Sequence, residues 1–156
     1  MSFEKAKDYL KKYGLDEKIM VFDVSSATVE EAAKAIGCKG EEIAKSLSFL
    51  VNEKPVLVIA SGNARIDNSK FKQEFHTKAK MIPFEKVEAL IGHAVGGVCP
   101  FGIHENVAVY LDVSLKKFEN VYPACGSSNS AIRLTLEEME NIICYEKWVD
   151  VCKTAF

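Results

Sequence analysis

The stretch GHAVGGVCPFG, residues 92–102, is the feature around which the rest of the sequence is organised. It contains four of the chain's nine glycines and one of its four prolines. Glycine permits positive φ and close approach to the backbone, whereas proline fixes one φ and removes one N–H donor. Valine, cysteine and phenylalanine alternate with the glycines, unlike the polar composition of a flexible linker. We expect a shaped pocket loop whose free amides suit an anion or a developing oxyanion, with a purely structural turn as the alternative.

Length and composition predict one globular domain spanning residues 1–156. The 156 residues are 48% hydrophobic and 27% charged, and the net charge is −2. This balance argues against a protein that wraps a long nucleic acid, which usually requires a basic surplus. It is compatible with a pocket that holds one end of a nucleic acid. No apolar run approaches the roughly 18 residues of a membrane span, so no membrane partner is expected.

The cysteine pattern indicates free thiols in a reducing compartment. The number of cysteines is odd, no pair is spaced as in C-x-x-C, and no signal peptide begins the chain. We therefore expect a cytoplasmic protein without a metal site or cofactor. The five cysteines are Cys38, Cys99, Cys125, Cys144 and Cys152.

Short helices alternate with short strands along the chain. Thr28 and Thr135 each begin a T-x-x-E pattern, which is typical of a capping box at a helix start. Apolar periodicity predicts further helices over 2–13, 67–75 and 83–91, and a tail over 145–156 that packs back onto the domain. Strands are expected at 19–24, 42–51, 56–60, 80–82, 106–112, 121–124 and 131–134. These elements predict an α+β fold with a curved mixed sheet and external helices.

Lys45 is the most informative charged residue of the predicted strands. If residues 42–51 form a strand, Lys45 shares one face with Ile43, Leu47 and Phe49. Lysine is rarely buried without a partner, so this position indicates an ammonium aimed at a pocket, where it can meet a phosphate or carbonyl oxygen. The alternative is that residues 41–45 end a helix and Lys45 extends to solvent.

Several motifs occur in a fixed order along the chain and together resemble a known family. They are Lys45-Ser46-Leu47, the loop SGNARID at 61–67, GGVCPFG at 96–102, VAVYLD at 107–112 and ACGSSNSAIRLT at 124–135. The sequence is similar to the YbaK/prolyl-tRNA synthetase editing-domain family, which includes free-standing ProX-type proteins. The resemblance covers about residues 20–143.

The resemblance implies a strongly bent, barrel-like mixed β-sheet flanked by short helices. It also implies a deacylase that removes a mischarged Cys, Ala or similar small residue from tRNA, most commonly tRNA for proline, by substrate-assisted hydrolysis. Lys45 is then the main functional side chain, and the loop Gly96–Pro100 holds the CCA end and the ester. The implied partners are aminoacyl-tRNA and a prolyl-tRNA synthetase, with the protein a monomer or homodimer. The expected substrate-binding residues are Phe22, His93, Gly96, Gly97, Val98, Cys99, Pro100, Phe101, Gly102, Gly126, Ser127 and Ser128.

The residue types at the expected site leave alternatives open. Phe22 could stack on a base or lie in the core, and Ser127 and Ser128 could contact a nucleotide or only form a polar turn. Cys99 stands where the family often has Ser or Thr, His93 where it often has a large residue such as Tyr, and Asn63-Ala64 replaces a more polar pair, so the edited amino acid stays open.

Cys99 also raises a different chemistry. With His93 or His104 it could form a Cys–His nucleophile pair, which requires an exposed thiol of lowered pKa. The alternative is a small buried hydrophobe, in which case Cys99→Ser retains most deacylase activity. A non-catalytic module that binds a tRNA end or a nucleotide is the competing function, because a fold does not fix a function.

Overall fold

The computed structural model describes residues 2–154 and shows a mixed α+β fold built on a strongly curled sheet, which confirms the predicted class. The strands are β1 Met20–Val21, β2 Ile43–Val51, β3 Lys54–Ser61, β4 Ala64–Ile66, β5 Ala108–Asp112, β6 Asn120–Pro123, β7 Ser130–Ala131, β8 Leu134–Thr135, β9 Trp148–Val149 and β10 Cys152–Thr154. The helices are α1 Ser2–Lys11, α2 Val29–Ile36, α3 Asn68–Phe75, α4 Val87–Ile91 and α5 Leu136–Ile142. Short 3₁₀ turns occupy Asp16–Lys18, Gly40–Glu42, Phe84–Lys86 and Val113–Lys117.

The centre of the sheet is the antiparallel hairpin of β2 and β3. Its register runs from Ala44 opposite Ser61 to Val51 opposite Lys54. The hairpin turn places Asn52 and Glu53 at φ 51° and 65°. The six-stranded order is β8-β6-β2-β3-β5-β9, in which β6 runs parallel to β2 and β5 runs parallel to β3. Both strands of the hairpin therefore lie inside the sheet, which explains the continuous apolar run of β3.

The two faces of the central strands pack into two separate hydrophobic clusters. Leu57 and Ile59 of β3 belong to the larger cluster, which includes Phe101 and Leu111. Val56, Val58 and Ala60 alternate with them and belong to the smaller cluster, which includes aromatic side chains of α3. This alternation follows from the period of two along a strand.

The helix starts follow their local capping signals. Thr28 and Thr135 both form complete capping boxes, as the T-x-x-E patterns predict. Asp67 caps α3 by accepting hydrogen bonds from the N–H groups of Ser69 and Lys70. Each cap satisfies helix N–H groups that have no intrahelical partner.

The strand predictions require several corrections. The strand expected at 19–24 shortens to β1, and the one at 80–82 reduces to a single bridge between Met81 and Phe49. The loop expected at 61–67 contains β4, because the C-terminal tail returns as β10 and pairs with it. The strand expected at 131–134 divides into β7 and β8, which pair with β1 and β6 respectively. These differences all involve pairing partners that are distant in sequence.

As predicted, the C-terminal tail packs onto the domain up to Thr154, because β9 pairs with β5 and β10 pairs with β4, and residues 155–156 of that prediction lie outside the described residues. The helix predicted over 83–91 begins as a 3₁₀ turn and becomes α-helical at Val87. Within residues 2–154, no helix has the length and apolar character needed to cross a bilayer.

Candidate active site

A cavity of about 340 Å³ lies beside the N-terminal half of β2. One part of the lining comes from the loop before α2 and from α2 itself, and another part comes from residues 81–87. Part of the glycine loop and the ends of β6 and β7 complete the lining. Five segments far apart in sequence therefore enclose the cavity. A concave, largely apolar space with few polar groups is typical of a small-molecule site.

The floor of the cavity is the small-residue face of β2. Ala44, Ser46 and Ser48 alternate along the strand and all line the cavity. The Ser46 hydroxyl oxygen is buried and has no hydrogen-bond partner within the described residues. A buried hydroxyl without a partner is costly, so it marks a position that a ligand can satisfy.

Lys45 lines the same cavity and is held by the turn that follows β3. Its Nζ donates a hydrogen bond to the carbonyl oxygen of Gly62 at 3.2 Å, and another to that of Ala64. An ammonium has three N–H donors, so one remains for a ligand. Burial lowers the pKa of the Lys45 side chain from its ordinary value. In the part of the chain that the structure describes, Lys45 is the one charged side chain of this lining.

The position of Lys45 decides between the two interpretations of its segment. Residues 40–42 form a 3₁₀ turn and β2 begins at Ile43, so Lys45 lies within a strand and not at a helix end. Leu47 and Phe49, on the same face, pack in the smaller hydrophobic cluster. The ammonium lies at the end of this apolar face, where the carbonyl oxygens replace its water.

The glycine loop reaches the cavity through residues 95–98. Val95, Gly96 and Val98 line it, and Gly96 has a φ of 97° that L side chains rarely adopt. Gly97 lies against a second loop, and a Cβ there would come within 2.5 Å of the Gly126 carbonyl carbon. The absence of a side chain at Gly97 therefore allows the two loops to meet.

His93 and Cys99 lie behind the loop and not in the cavity lining. Both are fully buried, with 3.4 Å between His93 Nε2 and Cys99 Sγ. His93 Nε2 also meets the carbonyl oxygen of Phe101, and its Nδ1 lies 2.7 Å from the Ser2 hydroxyl. Burial raises the pKa of the Cys99 thiol to about 12 and lowers the pKa of His93. Nucleophilic catalysis requires an exposed thiol with a lowered pKa, whereas the Cys99 thiol is buried and its pKa is raised.

The other expected binding residues surround the loop. Phe101 is fully buried and its ring lies 6.0 Å from that of Tyr9, and Gly102 approaches the carbonyl oxygen of Lys5. Phe22 is half-buried, and its backbone pairs with Asn129. None of the following described residues lines the cavity, so substrate contact by them stays a prediction: Phe22, His93, Gly97, Cys99, Pro100, Phe101, Gly102, Gly126, Ser127 and Ser128.

The polar turn at 126–129 is held by its own hydrogen bonds. The Ser127 hydroxyl lies 3.0 Å from Asn129 Oδ1 and 2.5 Å from the Ser130 hydroxyl. Ser128 is exposed and its carbonyl oxygen accepts a 2.6 Å hydrogen bond from the Ser26 N–H. The turn thereby connects the glycine loop to the loop before α2.

Several lining residues were not among the site residues expected from the sequence, although Thr28 was predicted as a helix cap. Ser26 and Thr28 come from the loop before α2, and Tyr122 comes from β6. Met81 and Phe84 also line the cavity although these residues are 57% and 75% exposed. The alternation around Lys45 could have indicated Ser46 and Ser48, because the opposite face of that strand carries small residues from Ala44 to Ser48. Residues 2–154 hold no group of three His, Cys, Asp or Glu side chains that could bind a metal ion.

Comparison of the sequence with known proteins identifies the family of this chain. The aminoacyl-tRNA editing domain matches residues 23–142 of the chain. A Bacillus subtilis (strain 168) protein, the uncharacterised YwhH, is 46% identical over 154 residues and covers 98% of both chains. The proline–tRNA ligase of Shouchella clausii (strain KSM-K16) is 32% identical over 104 residues, and the match spans 66% of this chain but only 18% of the ligase.

Solved structures of other proteins share this fold. The crystal structure of a candidate trans-editing enzyme for prolyl-tRNA synthetase superimposes with a TM-score of 0.86 at 28% identity, covering 97% of each chain. The hypothetical protein APE2540 shares the fold with a TM-score of 0.80 at 22% identity, covering 93% of this chain and 99% of that one. The chain belongs to the aminoacyl-tRNA editing domain family.

Proposed function

We propose that this protein is a trans-acting deacylase that hydrolyses a small mischarged amino acid from tRNA, with tRNA for proline as the preferred substrate. The observation that carries the proposal is a cavity with one lysine and an unpartnered serine hydroxyl but no nucleophile–base pair in its described lining. An aminoacyl ester is already activated, so such a site mainly has to orient it and stabilise the oxyanion. We further propose that the chain acts as one editing domain.

The dimensions of the cavity favour a small amino acid. Its volume of about 340 Å³ lies near the lower end of the ~300–1,000 Å³ range of ligand pockets. The terminal ribose must enter the same space as the aminoacyl group, because the ester joins them. Small side chains such as those of Cys, Ala, Ser or Thr fit what remains. The similarity to proline–tRNA ligases and to a candidate prolyl trans-editing enzyme supports tRNA for proline.

In the proposed reaction, water adds to the ester carbonyl carbon and the bond from that carbon to the ribose oxygen breaks. The ribose oxygen takes up a proton, so the products are the free amino acid and the tRNA with its terminal diol. The free N–H of Lys45 and the backbone N–H groups of the glycine loop stabilise the carbonyl oxygen as negative charge develops. The neighbouring ribose hydroxyl, or the thiol of a cysteinyl substrate, assists the attacking water.

The test measures release of labelled amino acid from tRNA for proline charged with Ala, Cys, Ser or Thr, with Pro-tRNA as the cognate control. The natural protein is compared with Lys45→Ala and Lys45→Arg. Lys54→Ala is the matched control, because Lys54 is exposed at the other end of the hairpin. Losing an oxyanion donor typically costs ~10²–10³ in rate, so Lys45→Ala is expected to fall by about that factor.

The results separate three possibilities. Release from one mischarged species, lost in Lys45→Ala, retained in Lys54→Ala and absent with Pro-tRNA, supports editing and identifies the substrate. Equal release by the natural protein and Lys45→Ala contradicts the role given to Lys45. Binding of charged tRNA without any release contradicts the deacylase proposal and favours a non-catalytic binding module.

A further inference from the structure

A second groove, of about 650 Å³, adjoins the cavity on the side of β6 and β8. It is lined by Lys18, Arg133, Glu138 and Asn120, among others. Lys18, Asn120 and Glu138 lie outside the motifs that indicate the family, Arg133 lies within the one at 124–135, and the proposed hydrolysis uses none of the four side chains. Its lining is therefore unexplained by the chemistry of the cavity.

Three structural elements pass continuously from the cavity to this groove. On β6, residues 120, 122 and 124 share one face: Asn120 lines the groove, Ala124 lines the cavity and Tyr122 lines both. The neighbouring segment takes the same course, since Ala131 lines the cavity and Arg133 lines the groove. At ~3.3 Å per residue, the path along β6 from Ala124 to Asn120 is about 13 Å long.

The third element is α2. Ala32 lines the cavity and Ile36, one turn further along the same helix face, lines the groove. Strand, loop and helix each contribute residues to both spaces, so the cavity and the groove lie side by side and share Tyr122 in their linings.

The charges of the groove suit a phosphate group. Arg133 is exposed, and none of the ion pairs within residues 2–154 involves it. The Lys18 ammonium, on a side chain that is 58% exposed, lies 3.7 Å from the Glu138 carboxylate. That carboxylate also accepts the Thr135 N–H of the α5 capping box, so its charge is already engaged. Arg133 therefore presents the unpaired positive charge, with a planar fork that matches phosphate oxygens.

We propose that the groove binds the nucleotide that precedes the terminal adenosine of the tRNA, with Arg133 on its phosphate and Tyr122 beside its base. This inference rests on the proposed function, because it places the terminal aminoacyl-adenosine in the cavity. Base–aromatic stacking and phosphate pairing are the usual means of holding a single-stranded end. The groove thus positions the ester and favours aminoacyl-tRNA over free aminoacyl esters that lack the preceding nucleotide.

The test compares two substrates that carry the same amino acid. One is the aminoacyl-tRNA, and the other is 3′-O-aminoacyl adenosine, which has no phosphate. For Arg133→Gln, the ratio of kcat/KM for tRNA to kcat/KM for aminoacyl adenosine is expected to fall about tenfold or more, chiefly through KM. Arg133→Lys is expected to restore part of the ratio. The salt dependence for tRNA is expected to lose a slope of ~0.7, the value for one phosphate of a single strand.

Lys72→Gln is the matched control, because Lys72 is exposed on α3, which packs on the other side of the sheet. An unchanged ratio in Arg133→Gln overturns the inference, as does an equal loss on both substrates. If the natural protein hydrolyses neither substrate, the proposed function fails instead. Equilibrium binding of a single-stranded ACCA oligonucleotide then still tests the groove: weaker binding by Arg133→Gln than by Lys72→Gln supports the inference, and equal binding overturns it.

Discussion

The contact between the glycine loop and the 126–129 turn can be tested by replacing Gly97 with alanine. A Cβ at this position would lie 2.5 Å from the Gly126 carbonyl carbon and the Ser127 nitrogen, and 2.8 Å from the Gly126 carbonyl oxygen. All three neighbours are backbone atoms, so no flexible side chain can move aside. The φ of Gly97 lies outside the left-handed region, so backbone strain adds nothing and the steric overlap alone opposes the added methyl group.

The size of the effect follows from this overlap. The methyl carbon would be about 0.9 Å closer than the 3.4 Å at which ordinary contact begins, so the two loops must separate by roughly that distance. Inserting a methyl group into a packed site typically costs ~1–3 kcal/mol, and more where the neighbours are rigid. We expect Gly97→Ala to lower the free energy of unfolding by about 3 kcal/mol. In a chain of 156 residues this corresponds to a Tm lower by roughly 6–12 °C.

The assay is urea-induced unfolding, with Gly40→Ala as the control. A Cβ at Gly40 would lie 3.5 Å from a Val29 methyl group, an ordinary contact, and its φ is also outside the left-handed region. We expect that control to stay within ~1 kcal/mol of the natural protein. If Gly97→Ala also stays within ~0.5 kcal/mol, the two loops do not depend on a glycine at their contact and the reasoning is refuted.

Two further predictions concern buried polar groups. Asp112 is 1% exposed and accepts hydrogen bonds from the N–H groups of Ser114, which is half-buried, and Val151, which is buried. Asp112→Ala leaves both donors unpaired and is expected to cost about 2–4 kcal/mol in urea unfolding, whereas a cost below ~1 kcal/mol contradicts this. The Cys99 thiol, with its pKa raised to about 12, keeps its proton in the folded protein after it has ionised in the unfolded chain. The unfolded state then binds fewer protons, so stability falls as pH rises above ~8.5, by at most about 1.4 kcal/mol per pH unit. This fall in unfolding free energy between pH 8 and 10 is expected to be smaller in Cys99→Ala, and an equal fall in both proteins contradicts the burial of an uncharged thiol.

Local sequence patterns predicted those features whose interactions are close along the chain. The capping boxes at Thr28 and Thr135 formed as expected, because each involves residues three positions apart. The hairpin of β2 and β3 followed from two apolar runs and a short turn. The alternation along 43–49 placed Lys45 on the face of Leu47 and Phe49 once the segment was a strand. The family resemblance implied the strongly bent sheet, which these local patterns alone did not predict.

The local sequence patterns could not predict which strands pair when the strands are distant along the chain. The pairing of β4 with β10 joins residues more than eighty positions apart, so no local pattern around residues 64–66 reports it. The strand expected at 80–82 met only one bridge partner, Phe49, and stayed irregular. Strand propensity is weak information when the partner strand decides whether a ladder forms.

The sequence by itself determined helix starts and the central hairpin, since short-range hydrogen bonds and side-chain periodicity specify them, while the placement of Lys45 beside the glycine-rich loop was implied by the family resemblance. Only the tertiary structure decided that Lys45 is held by the carbonyl oxygens of Gly62 and Ala64. It also decided that His93 and Cys99 are buried behind the loop, and that Tyr122 lines both the cavity and the groove that contains Arg133. These relations depend on parallel strand pairings and loop contacts that join distant parts of the chain, and burial and pKa follow from that packing.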